Sequence, residues 1–151
     1  MLYGEEAAER CLQRLHSLLE SYSDPLAQTC PEPVPSLWTE KDAVLIAYGD
    51  MVRHHREAPM ATLRKFLDQY VGDAISTVHI LPFFPYSSDD GFSIVDYRAV
   101  NPELGTWEDV EGLARRYSLM ADLVLNHCSR ESAWFQDYVA GILPGRAFFI
   151  E

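Results

Sequence analysis

A chain of 151 residues, 48% of them apolar, is long enough to bury one core and too apolar for a disordered tail. A formal net charge of −11 argues against nucleic acid as a partner, because phosphate binding needs a basic surface. No apolar run approaches the roughly 18 residues of a membrane-spanning helix, and the acidic start MLYGEEAAER lacks the basic-then-apolar order of a secretion signal. The three cysteines, Cys11, Cys30 and Cys128, are odd in number and without metal-like spacing. They read as free thiols in a reducing compartment, so a soluble cytoplasmic protein with no bound metal is expected.

Residues 5 to 22 place Ala8, Cys11, Leu12, Leu15, Leu19 and Tyr22 at helical spacing, which predicts an amphipathic helix. Pro25 and then Pro31, Pro33 and Pro35 come next, so 24 to 41 is expected to be a connector without helix or strand. AVLIAYGD (43–50) is a short apolar run ended by glycine and predicts a buried strand. In APMATLRKFLDQYVGD, Leu63, Phe66, Leu67, Tyr70 and Val71 predict one helical face, stopped at Gly72. AISTVHILPF (74–83) predicts a second strand, and a long connection spans 84 to 105. Thr106 to Asp109 has the T-x-x-D form of a capping box ahead of a helix carrying Trp107, Val110, Leu113 and Tyr117. SLMADLVLNH (118–127) predicts a third strand, and a further helix starts at Ser132.

Near-continuous apolar strands alternating with helices predict a parallel sheet of βα units. Two geometries offer themselves, a doubly wound open sheet and an eight-stranded barrel. The first turn, AYGDMVRHHRE, has no glycine-rich phosphate loop, which disfavours the nucleotide-binding open sheet. Three strands cannot close a barrel. The expected fold class is therefore α/β, the N-terminal portion of a TIM (β/α)8 barrel of about three βα units preceded by a helical leader. Residues 1–42 would form the leader and proline-rich connector, and residues 43–151 the first three βα units of an incomplete barrel.

The connection after the second strand, within VHILPFFPYSSDDGFSIVDY, sets Asp89, Asp90 and Asp96 among Phe83, Phe84, Tyr86, Phe92 and Tyr97. Working residues in βα barrels come from the C-terminal ends of strands and the loops after them. Rings pack on the C–H face of a pyranose, while a carboxylate accepts from two hydroxyls at once. Turn-making explains the Asp-Asp-Gly and the prolines equally well on local chemistry. In the third strand, D-x-V-x-N-H places Asp122, Val124 and Asn126 on one face, with His127 at the mouth. An Asp in an apolar strand needs a partner. Asp, Asn and His together at a strand outlet favour a sugar site over a turn.

DLVLNH and DDGFSIVDY resemble the first conserved region and the post-strand-two segment of the amylase superfamily, glycoside hydrolase family 13. HILPFFPYSSDDGFSIVDY and NHCSRESAWFQDY are most similar to its sucrose phosphorylase branch, and to the glucosylglycerate phosphorylases within it. The likeness covers about residues 43 to 151 and is weaker before that. It implies that Asp89 accepts hydrogen bonds from a glucosyl unit, that Phe92 lies under that sugar and that His127 bonds its 6-hydroxyl. Asp122 would pair with an arginine from a fourth strand, and Asn126 would fix the loop after strand three. Ser132 stands where many family hydrolases carry histidine. The family's nucleophilic Asp and acid/base Glu lie after the fourth and fifth strands, so no catalytic residue is expected within residues 1–151. Retaining chemistry needs both groups, and the chain alone should not turn over.

The resemblance implies a retaining α-glucoside phosphorylase as the full-length parent, using an α-glucoside and inorganic phosphate as co-substrates and no cofactor. No membrane partner is expected, and a homodimer of the parent is kept open. A hydrolase or transglucosidase, and a non-catalytic sugar-binding barrel fragment, are the alternatives. Elsewhere, His54 and His55 with Glu57 nearby lack metal spacing and read as surface. His79 reads as a hydrogen-bonded core residue, Asp50 as a cap or turn, and Cys128 as unactivated despite His127 beside it.

Overall fold

The computed structural model describes residues 4–29 and 39–150. They fall into two compact units divided between residues 37 and 38. The first holds helix α1, Glu5–Thr29, with Glu5 and Glu6 in its first turn, where carboxylates suit the positive end of the helix dipole. The helix runs seven residues beyond the sequence expectation and across Pro25, which corrects the reading of residues 24 to 29 as connector. Just before Pro25, the Ser21 and Ser23 hydroxyls donate to the carbonyls of Leu18 and Glu20 at 2.6 and 2.7 Å. The remainder of that expected connector, residues 30–38, lies outside the described residues.

The second unit is built on a parallel sheet in the order β1–β2–β3. Strands β1 (Val44–Ala47), β2 (Thr77–Ile80) and β3 (Ser118–Ala121) are four residues each. Register is straight across, so Ile46, His79 and Met120 share one row and Ala47, Ile80 and Ala121 the next. Val78 and Ile80 turn to the side covered by helices α2 (Pro59–Phe66) and α3 (Trp107–Ala114). There they meet Met60, Leu63, Leu67, Val110 and Leu113 in one buried cluster. On the opposite side Val44, Ile46 and Met120 are exposed, an open face on a sheet type that is covered on both faces when complete. No helix among the described residues is long and apolar enough to cross a membrane.

Local chemistry explains most boundaries. Pro59 opens α2 at the position where its missing N–H costs nothing, and the next donor, Met60 N–H, reaches the Leu104 carbonyl at 3.0 Å. After Phe66 the helix widens into a π-helical turn, Leu67–Val71, and stops at Gly72 with φ 54°. Leu63 and Leu67 are buried and Val71 packs against the core, but Phe66 and Tyr70 pair outside it at 5.2 Å, so the expected face of Leu63, Phe66, Leu67, Tyr70 and Val71 is formed only in part. Helix α3 begins with the capping box read from the sequence: the Asp109 carboxylate accepts from the Thr106 N–H at 2.9 Å. Helix α4, Ala133–Ala140, closes the described chain together with a short turn at Gly145–Ala147.

Strand β3 is shorter than its apolar pattern. Its ladder stops opposite Ile80, and two residues further along that neighbour Pro82 has no N–H to continue the pairing. Residues 122–127 are therefore chain beyond the ladder.

Leu113 is fully buried between helix and sheet. Leu113→Ala should lower unfolding free energy by about 2–5 kcal/mol, read as a shifted urea midpoint with an unchanged slope.

Candidate functional site

The connection from β2 folds as a small lobe. Val95 N–H donates to the Pro85 carbonyl at 2.8 Å and Ser87 N–H to the Ser93 carbonyl at 3.0 Å, with an antiparallel bridge between Tyr86 and Ile94. At its tip Asp89, Asp90 and Gly91 all adopt positive φ, 60°, 48° and 104°. Two consecutive aspartates in the left-handed region are costly, and such strain persists only where the surroundings impose it. Here Phe92 N–H closes on the Asp89 carbonyl at 2.9 Å, and a Cβ on Gly91 would stand 3.0 Å from the Pro82 carbonyl. The lobe is pinned from beneath by Ile94, which is fully buried, and by Phe83 and Phe84.

The lobe is joined directly to the chain after β3. Ser129 N–H donates to the Ile94 carbonyl at 2.9 Å, and the Ser87 and Ser129 hydroxyls lie 2.6 Å apart. Tyr97 O–H donates to the Val124 carbonyl at 2.5 Å while its ring stacks on Trp134 and meets Phe84 edge-on. Burial pushes the Tyr97 phenol above its ordinary pKa and so keeps it protonated and donating. Ser132 caps α4 by accepting from Phe135 N–H at 3.2 Å. Ser129 and Ser132 are the buried polar residues of the described chain. The sequence signal for both was present, as serines three apart ahead of a helix, but it says nothing of the junction they make.

The candidate residues are divided between these two segments. Asp89 and His127 are exposed, Phe92 is half-buried, and they sit on the lobe and on the chain after β3 that these bonds connect. Asn126 is exposed beside His127. Asp122 is half-buried and pairs with His79, Nε2 to Oδ2 3.0 Å, so His79 is hydrogen-bonded as expected, but it lies half-buried on the open side of the sheet rather than in the core. A cavity of about 370 Å³ on one side of the lobe is lined by Ser87, Ser88, Ser93, Arg130 and Glu131. Another of about 320 Å³ includes Tyr48, Asp50, Arg53, Tyr86, Asp90 and Glu103 in its wall. Asp89, Phe92 and His127 line neither.

The remaining candidates are surface features. His54 and His55 are exposed with their rings 4.5 Å apart, and Glu57 pairs with Lys65 at 2.5 Å, which depresses the Glu57 pKa. Asp50 is engaged by Arg53. Cys128 lies 3.4 Å from the Ser132 hydroxyl. No three His, Cys, Asp or Glu side chains among the described residues converge as a metal site.

A parallel βα sheet with a carboxylate-and-ring lobe tied to the chain after its third strand has a counterpart among known proteins. The family profile "Alpha amylase, catalytic domain" matches residues 68–151. The chain belongs to the alpha-amylase family. It is 47% identical over 151 residues to the glucosylglycerate phosphorylase of Spirochaeta thermophila, covering 99% of this chain and 26% of that protein. It is 50% identical over 113 residues to the glucosylglycerate phosphorylase of Allomeiothermus silvanus, covering 75% of this chain and 20% of that one. The crystal structure of sucrose 6F-phosphate phosphorylase from Thermoanaerobacter thermosaccharolyticum superposes with a TM-score of 0.61 at 36% identity, over 71% of this chain and 21% of that one. The chain thus spans about a quarter of the length of the first relative, and its three βα units are part of a (β/α)8 barrel. The Spirochaeta match covers 99% of this chain and so takes in nearly all of residues 1 to 42, where the motifs alone gave a weaker likeness.

Two outcomes check the junction. Ser132→Ala should cost about 0.5–2 kcal/mol in urea unfolding. The raised Tyr97 pKa contributes stability that is fully present below its unfolded value of about 10 and is lost as pH climbs through the higher folded value. In urea titrations between about pH 9 and about pH 12, Tyr97→Phe should remove that part of the alkaline loss.

Proposed function

We propose that this chain is the leader and first three βα units of a retaining α-glucoside phosphorylase, residues 1–42 and 43–151 respectively. Its own contribution is to hold the glucosyl unit. In this reading the Asp89 carboxylate accepts from sugar hydroxyls, the Phe92 ring underlies the pyranose face, and His127 bonds the 6-hydroxyl. Asp122 and Asn126 keep the tip after β3 in place. The Asp89–Gly91 tip supports this, because the left-handed backbone held by Phe92 N–H fixes the direction in which the Asp89 side chain leaves the lobe. The observation that carries the reading is the identity to glucosylglycerate phosphorylases along nearly the whole chain.

The reaction requires an attacking Asp and an acid/base Glu, which the family resemblance places beyond residue 151. The carboxylate attacks the anomeric carbon while the acid protonates the leaving oxygen. Phosphate then takes the sugar from the covalent intermediate with retention. No cofactor enters this scheme, and inorganic phosphate is the co-substrate.

In the full-length protein carrying this segment, glucose 1-phosphate should form from glucosylglycerate or a related α-glucoside only when phosphate is present. Free glucose at the same rate without phosphate would instead make it a hydrolase. Asp89→Asn should lower kcat/KM roughly 10²-fold, given about 1.5–3 kcal/mol for each hydrogen bond to a charged group. The isolated 151-residue chain should show no turnover.

A further inference from the structure

The tip after β3 carries Asp122, Asn126 and His127, yet it has no strand ladder, because pairing with β2 ends at the Ile80–Ala121 step. Side-chain bonds from the second βα unit hold it instead. Tyr97 O–H takes the Val124 carbonyl, and His79 meets Asp122 through Nε2 and Oδ2 at 3.0 Å. His79 occupies an unusual place for this. It lies on the central strand, in one row with Ile46 and Met120, on the side of the sheet away from the helices. Its row neighbours are 59% and 42% exposed, while the imidazole is only 17% exposed and the Asp122 side chain 25%. A β-branched apolar residue would suit the middle of a parallel strand better, and a polar ring there costs stability unless it is bonded. A residue that breaks a local rule while holding a specific partner marks a functional constraint.

We infer that His79 is a positioning residue that fixes the Asn126–His127 tip through Asp122. One carboxylate oxygen of Asp122 is engaged by His79, and a carboxylate accepts at both oxygens, so a second donor can be held by the same group. The ring nitrogen facing Asp122 must carry a proton, because a carboxylate oxygen only accepts. His79 thereby links the central strand to a segment that the backbone ladder does not reach. That the tip faces a sugar rests on the proposed function; that His79 orders the tip does not.

The 151-residue chain itself provides the test, by NMR with no sugar present, so failure of the glucoside reading leaves the result untouched. The His79 ring should show Nε2 protonated in its nitrogen spectrum. Backbone order parameters for residues 122–127 should fall from about 0.85 to below about 0.6 in His79→Leu. His79→Gln, which keeps a donor on a similar stem, should restore most of that order. Values in α2 and β1 should not move. Asp122→Asn provides a second route if His79→Leu fails to fold, and should loosen the same residues. A bare Nε2 with Nδ1 protonated would overturn the inference. So would unchanged order at 122–127 in both variants, or an even loss along the whole chain.

Discussion

The straight parallel register of β1, β2 and β3 is the constraint on which the second unit depends. Each strand contributes four residues, and every row across the sheet is set by the match of Val44 to Thr77 to Ser118. With side chains alternating at a period of two, that register sends Val78 and Ile80 into the cluster with Leu63, Leu67 and Leu113. It also sends His79 to the other side. A slip of one residue would exchange the two sets, place an imidazole in the helix-covered core and part His79 from Asp122. The polar pair and the apolar core are thus two expressions of one alignment.

Beyond the strand ends, order passes from the backbone to side chains. The lobe after β2 is closed by its own antiparallel bridge between Tyr86 and Ile94. Its link to the chain after β3 runs through the Ser87–Ser129 hydroxyl pair, the Tyr97 phenol and the Ile94 carbonyl. Hydroxyls held in such a junction are strong when satisfied and costly when not, which favours one arrangement of the loops over several. Asp89 and Asp90 can remain in the left-handed region because the lobe beneath them is so fully bonded.

Much of this was legible from residue order, for identifiable reasons. Thr106 and Asp109 announced their helix because a capping box is a local device, complete within four residues. The βα alternation was legible because buried parallel strands lack polar interruption. The face of the helix at Leu63 to Val71 was legible only in part, since Leu63, Leu67 and Val71 meet the core while Phe66 and Tyr70 fall outside it, and apolar type alone does not separate the two sets. Strand β3 read as ten residues because apolar pattern reports burial, while ladder length depends on the neighbour, here a chain with Pro82. The partner of Asp122 was legible only as a need. Asp122 and His79 are 43 residues apart, and nothing local connects them.

The uncovered side of the sheet has a consequence for behaviour in solution. Among the described residues, no strand lies outside β1 or β3, so each presents an outer row of N–H and C=O groups next to Val44, Ile46 or Met120. Such a border is a template for another extended chain, and these three apolar side chains supply none of the charges that guard natural sheet borders. As an isolated chain this unit would be kept dispersed chiefly by its excess of acidic groups, so added salt or a fall in pH would weaken the repulsion first and let borders meet.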